Sequence, residues 1–70
     1  MENMSQFKDI LKLLRNEKGV GQVELAKEIK VSKGAISLWE TGKREPTMSS
    51  LIALAKFFGV SLDYLVGLED

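Results

Sequence analysis

Residues 19–43, GVGQVELAKEIKVSKGAISLWETGK, decide the fold. They divide into two short amphipathic stretches joined by a tight turn. The first, about Gln22 to Ile29, carries Leu25, Ala26 and Ile29 on one face; the second, about Lys33 to Glu40, carries Ala35, Ile36 and Trp39. Recurrence at three and four residues is the period of a helix buried along one side. Ala26 is small enough for the two helices to approach closely. Ser32 is placed to cap the second helix, its side-chain oxygen accepting an N–H that has no partner within the helix. Thr41-Gly42 ends it, since glycine enters the left-handed conformation at little cost.

The same period extends outward on both sides. Phe7, Ile10, Leu11 and Leu14 form an apolar stripe on a first helix, with Ser5 read as its N-cap and Gly19 closing it after Lys18. Thr47 caps a fourth helix, about Met48 to Phe58, whose inward face is Leu51, Leu54, Ala55 and Phe58 and which Gly59 ends. Ser61 caps a short fifth helix through Leu62, Leu65 and Val66. No β-alternation occurs. The expected fold is all-α, a compact five-helix domain over residues 1–70, with Phe7, Leu11, Leu14, Leu25, Ile36, Trp39, Leu51, Leu54, Val60 and Leu65 in its core.

Composition narrows the function. Without Cys or His there is no disulfide, no thiolate nucleophile and neither the usual metal ligand nor the usual acid–base catalyst. No enzyme, cofactor, metal or small-molecule substrate is therefore expected. Met1-Glu2-Asn3-Met4 lacks the basic start and apolar stretch of a secretory signal. The longest apolar run, Leu51 to Ala55, is far too short to cross a bilayer. A cytoplasmic protein with no membrane contact is the expectation. Ten Lys plus Arg balance ten Asp plus Glu, so the net charge is zero. Its distribution is uneven. Residues 30–44 hold Lys30, Lys33, Lys43 and Arg44 against Glu40 alone, while the chain ends with Asp63, Glu69 and Asp70 against Lys56.

Two crossed helices joined by a short turn form a helix-turn-helix, whose second helix can enter a DNA major groove. The ordered residues Gly19-Val20-Gly21-Gln22, Leu25-Ala26, Val31-Ser32, Ile36-Ser37, Trp39-Glu40 and Gly42-Lys43 resemble the phage-repressor and Cro-type, or Xre-like, helix-turn-helix family. The resemblance continues through Pro46, Leu51, Leu54-Ala55 and Gly59-Val60-Ser61-Leu62-Asp63-Tyr64-Leu65, and covers residues 7 to 67. It implies a lambda-repressor-like fold. Two positions depart from the family pattern. Lys30 stands where the turn usually has Gly, which requires either a positive φ at Lys30 or a rearranged turn, and Gly21 stands where the cap of the second helix is usually Ser or Thr.

Helical spacing, with Ile36 and Trp39 buried, points Lys33, Gly34, Ser37, Leu38 and Thr41 outward. By resemblance Lys33, Gly34 and Leu38, with Ser37 beside them, face the bases. Lys33 can donate to guanine, Ser37 can serve a base edge and Leu38 can pack on a thymine methyl. Gly34 costs about 1 kcal/mol relative to Ala inside a helix, a cost that makes sense where backbone must come close to a partner. The resemblance also implies phosphate contacts from Gln22 at the start of the second helix, from Lys43 and Arg44 in the loop, and from Thr47 and Met48 at the start of the fourth helix. Glu40, near the negative end of its helix, matches a family position that pairs with Arg15, a structural salt bridge tying the first helix to the third. Trp39 reads as core, and Lys8, Lys12, Lys27 and Lys30 read as solubilising surface lysines.

Two functions fit. The first is a sequence-specific DNA-binding transcriptional regulator, read as a repressor, that binds a palindromic operator in double-stranded DNA as a homodimer. Its candidate pairing surface is Phe57, Tyr64 and Val66, with the alternative that Tyr64 only completes the core. The second is a protein-interaction module on the same fold, such as an antirepressor that binds another regulator. Gln22, Lys33, Lys43 and Arg44 favour the first; the zero net charge and Leu38 favour the second.

Overall fold

Five helices and their turns make up the computed structural model, which describes residues 3–68: α1 (Asn3–Lys18), α2 (Gln22–Ile29), α3 (Lys33–Glu40), α4 (Met48–Phe58) and α5 (Leu62–Leu65). Glu69 and Asp70 of the acidic end lie outside the described residues. The helix bounds of α2, α3 and α4 coincide with those read from periodicity and caps. The start of α1 does not. The helix runs from Asn3, so Ser5 stands inside it and is not its cap.

Side-chain caps begin three of the helices. Ser32 accepts from the Ala35 N–H, Thr47 from that of Ser50 and Ser61 from that of Tyr64. Gly21 starts α2 with extended backbone and no side-chain bond, which leaves the first N–H groups of that helix without a protein acceptor from its cap. The helix ends are alike. Val20, Val31, Lys43, Val60 and Leu68 each donate five residues back, to the carbonyls of Arg15, Ala26, Leu38, Ala55 and Asp63, at 2.8–3.1 Å. The residue before each of these donors is left-handed, as the Schellman end requires. At four of the ends that residue is glycine. At the turn between α2 and α3 it is Lys30, with φ 63° and ψ 47°, so the turn keeps its geometry and the lysine carries the strain of an L-residue in the left-handed region.

A single cluster joins the helices. Phe7, Leu11 and Leu14 from α1 meet Leu25, Ala26 and Ile29 from α2, Ile36 and Trp39 from α3, Leu51, Leu54 and Ala55 from α4, and Leu65 from α5. Val60, expected in the core, is only half-buried against it, and Val20 in the α1–α2 turn is buried although the period does not single it out. Ile36 is wholly inaccessible and Trp39 nearly so. The buried side of α3 is thereby committed to the core, and the rotation of the helix follows: Lys33, Gly34 and Leu38 are exposed and Ser37 half-buried.

Candidate nucleic-acid interface

Glu40 organises the site from below. It is the one buried charged residue among those described, 6% exposed. A carboxylate removed from water this far requires a full set of donors. Arg15 Nε donates to Glu40 Oε2 at 2.7 Å and Arg15 Nη2 to Glu40 Oε1 at 3.1 Å, a bidentate pair. Gln22 Nε2 adds a third bond, to Oε1 at 3.0 Å. Arg15 Nη1 also donates to the Val20 carbonyl at 3.1 Å. The hydrogen bond to Glu40 raises the Arg15 pKa above the ordinary guanidinium value, against the opposing effect of burial and with help from the Glu40 charge. One network thus fixes the end of α1, the start of α2 and the end of α3.

This network has a consequence for charge. Glu40 is the sole carboxylate of residues 30–44, and it is withdrawn from the surface and matched by Arg15. Lys30, Lys33, Lys43 and Arg44 are all exposed. Glu45 is the nearest exposed carboxylate in sequence beyond them. In a chain of zero net charge, the exposed charges of residues 30–44 are therefore all basic.

The remaining polar groups are partly engaged. The Gln22 amide, assigned by resemblance to a phosphate, holds Glu40 and keeps a second N–H hydrogen for another acceptor. Thr41 Oγ1 donates to the Ser37 and Leu38 carbonyls at 3.0 and 3.2 Å, so it serves the end of α3. Gly42, with φ 74°, turns the chain into the exposed pair Lys43 and Arg44. Thr47 Oγ1 accepts from the Ser50 N–H and donates to the Ser50 hydroxyl, while Met48 is 65% exposed. Gly34 does not need to be glycine for the sake of the fold: a β-carbon there would meet only Ser32 Oγ, at 3.8 Å.

Lys8 and Phe57 each make a contact between elements. Lys8, read from sequence as a solubilising lysine, lies across the turn after α3. A β-carbon on Gly42 would come within 3.2 Å of Lys8 Cδ and 3.7 Å of its Nζ. Phe57 carries the Lys18 ammonium 5.1 Å above its ring and meets Phe58 edge-on at 5.0 Å. Tyr64 lines an open groove of about 540 Å³ with Leu14, Glu17, Phe58, Val60 and Ser61. Phe57, Tyr64 and Val66 are all half-buried. Among the described residues no three acidic side chains gather to hold a metal, and no helix is long and apolar enough to cross a membrane.

Residues 11–65 match the model of a protein family described as helix-turn-helix. Over 65 residues the chain is 43% identical to the helix-turn-helix transcriptional activator BcrR of Enterococcus faecalis, covering 93% of this chain and 32% of that protein. It is 36% identical over 64 residues to a helix-turn-helix transcriptional regulator of Methanocaldococcus jannaschii, covering 91% of this chain and 97% of that one. Among solved structures, a transcriptional regulator from Listeria innocua superposes with a TM-score of 0.85 at 30% identity, over 91% of this chain and 60% of that chain. The chain thus spans about a third of the Enterococcus relative's length.

Proposed function

Since the chain belongs to the helix-turn-helix family, we propose that it is a DNA-binding transcriptional regulator whose α3 reads the major groove. The observation that carries this reading is the removal of Glu40 from the surface, which leaves residues 30–44 with only basic exposed charges in a neutral chain. On this reading Lys33, Gly34, Ser37 and Leu38 face base edges. Lys43 and Arg44 hold phosphates, Thr47 and Met48 bring the start of α4 to the next phosphate, and Gln22 presents its free amide hydrogen beside the uncapped start of α2. Its work is binding rather than catalysis.

One such unit reads only a few base pairs, so two copies on a palindromic operator, with half-sites about 34–36 Å apart, supply operator-level specificity. Tyr64 at the open groove and the neighbouring Phe57 and Val66 are the proposed pairing surface. Repression is the proposed outcome because occupying a promoter needs no contact beyond DNA itself. The Enterococcus relative is named an activator, and activation would add a contact with the transcription machinery.

Leu38, 36% exposed in the middle of the reading face, favours a second reading, a protein-binding module directed at another regulator. Fluorescence anisotropy with duplexes selected from a random pool, at two salt concentrations, separates them. The DNA reading expects a selected palindrome and salt-dependent binding. It also expects Lys33→Ala to cost about 1–3 kcal/mol at one base position only, while Lys43→Ala weakens all sequences alike. No enrichment and no binding at low salt would overturn it.

A further inference from the structure

We propose that Lys8, from α1, is a phosphate contact that joins Lys43 and Arg44 beside the Gly42 turn; this rests on the DNA-binding reading given above. The arrangement follows from helix geometry. Lys8 and Arg15 stand two turns apart on one side of α1, and both meet the end of α3. Arg15 is consumed there by Glu40. Among the described residues the ion pairs are Arg15 with Glu40 and Lys12 with Asp9, and none of them involves Lys8.

The Lys8 stem lies against the backbone of Gly42, where a β-carbon would come within 3.2 Å of Cδ, 3.7 Å of Nζ and 3.9 Å of Cε. Glycine at that position therefore does two things. It takes the left-handed φ of 74° that closes α3, and it leaves room for the lysine to cross. Packing of the stem restricts a side chain that is otherwise among the most mobile. Its ammonium is held beside the turn from which Lys43 and Arg44 emerge. Lys8 comes from α1, and the exposed Lys43 and Arg44 follow Gly42 directly in the chain. A ligand with a row of negative charges, already assigned to Lys43 and Arg44, meets Lys8 as the next positive group along that edge.

Lys8 at this place could serve the fold alone, as a cation at the negative end of α3, so the test must read something that a structural role does not move. The salt dependence of DNA affinity is that quantity. Each phosphate neutralised contributes about 0.9 to the slope of log K against log salt. Lys8→Met keeps the stem and removes the charge, and Lys8→Gln is a second neutral variant. Both should lower the slope by about 0.9 on specific and random duplexes alike, so that the wild-type advantage shrinks about threefold between about 50 mM and about 200 mM salt. Lys8→Arg should restore the slope. Lys12→Met, one turn away beside Asp9, should leave it unchanged. A wild-type slope in folded Lys8→Met, where Lys43→Ala lowers it, would overturn the proposal and leave the DNA reading standing. Wild-type protein that binds no duplex at low salt would overturn both.

Discussion

Gly34→Ala should make the protein more stable and a poorer reader of its operator. Gly34 is the second residue of α3, in ordinary helical backbone without a positive φ. Glycine there costs at most about 1 kcal/mol relative to alanine, because more backbone freedom is lost on folding. The added β-carbon meets only Ser32 Oγ at 3.8 Å, an ordinary van der Waals distance. Neither a clash nor loss of the Ser32 cap offsets the gain. A rise of about 0.5–1 kcal/mol follows, which in a domain of this size raises the melting temperature by roughly 4–8 °C per kcal/mol. Binding should move the other way. The methyl group projects from the exposed face between Lys33 and Leu38, and if the backbone at Gly34 lies against a base edge it forces the helix outward. A loss of about 1–3 kcal/mol, the usual cost of overfilling a packed contact, should appear on the cognate duplex. Random duplex, held through phosphates, should change little. Calorimetric melting and anisotropy titrations on the same preparations provide both numbers. Increased stability with undiminished specific binding would refute the close approach, and decreased stability would refute the account of the helix itself.

Replacing Arg15 by Met leaves the Glu40 carboxylate, 6% exposed, with Gln22 as its remaining side-chain donor. The cost should be about 3–5 kcal/mol by urea denaturation, a large part of the stability of so small a domain. The double replacement Arg15→Met with Glu40→Leu should cost less than the sum of the single ones, and additivity would rule out the coupling. The raised Arg15 pKa places its contribution fully below the ordinary guanidinium value, to be lost only as pH climbs past the folded value. That end of the bridge should therefore cause no loss of stability up to about pH 10, as pH-dependent melting would show. Lys30→Gly should relieve the left-handed strain at φ 63° and raise the urea midpoint by the equivalent of at most about 1 kcal/mol; a lower midpoint would mean that the lysine stem contributes more than its backbone costs. Tyr64→Ala should reduce cooperativity on a palindromic duplex more than affinity for an isolated half-site. Equal losses on both duplexes would move the pairing surface away from the α5 groove.

Local chemistry made most of the fold legible in the sequence. A 3.6-residue period, an N-cap oxygen and a left-handed terminator act within a few residues of one another, which is why Ser32, Thr47, Ser61, Gly42 and Gly59 mark the ends of their helices as they do. The same locality explains the failure at α1. A serine close to the chain start reads as a cap, yet Ser tolerates a helix interior, and the helix runs on to Asn3. The family resemblance put Arg15 with Glu40, because no periodicity relates residues 25 positions apart. Tertiary structure alone brought the Gln22 amide onto the same carboxylate and laid Lys8 over Gly42. Both depend on how α1 and α2 lie against the end of α3, and that orientation is set by the packing of Phe7, Leu11, Leu25, Ile36 and Trp39 in one core. The charge on the exposed side of residues 30–44 was decided there as well: the sequence counts Glu40 against the basic residues around it, and only burial beside Arg15 removes it from the surface.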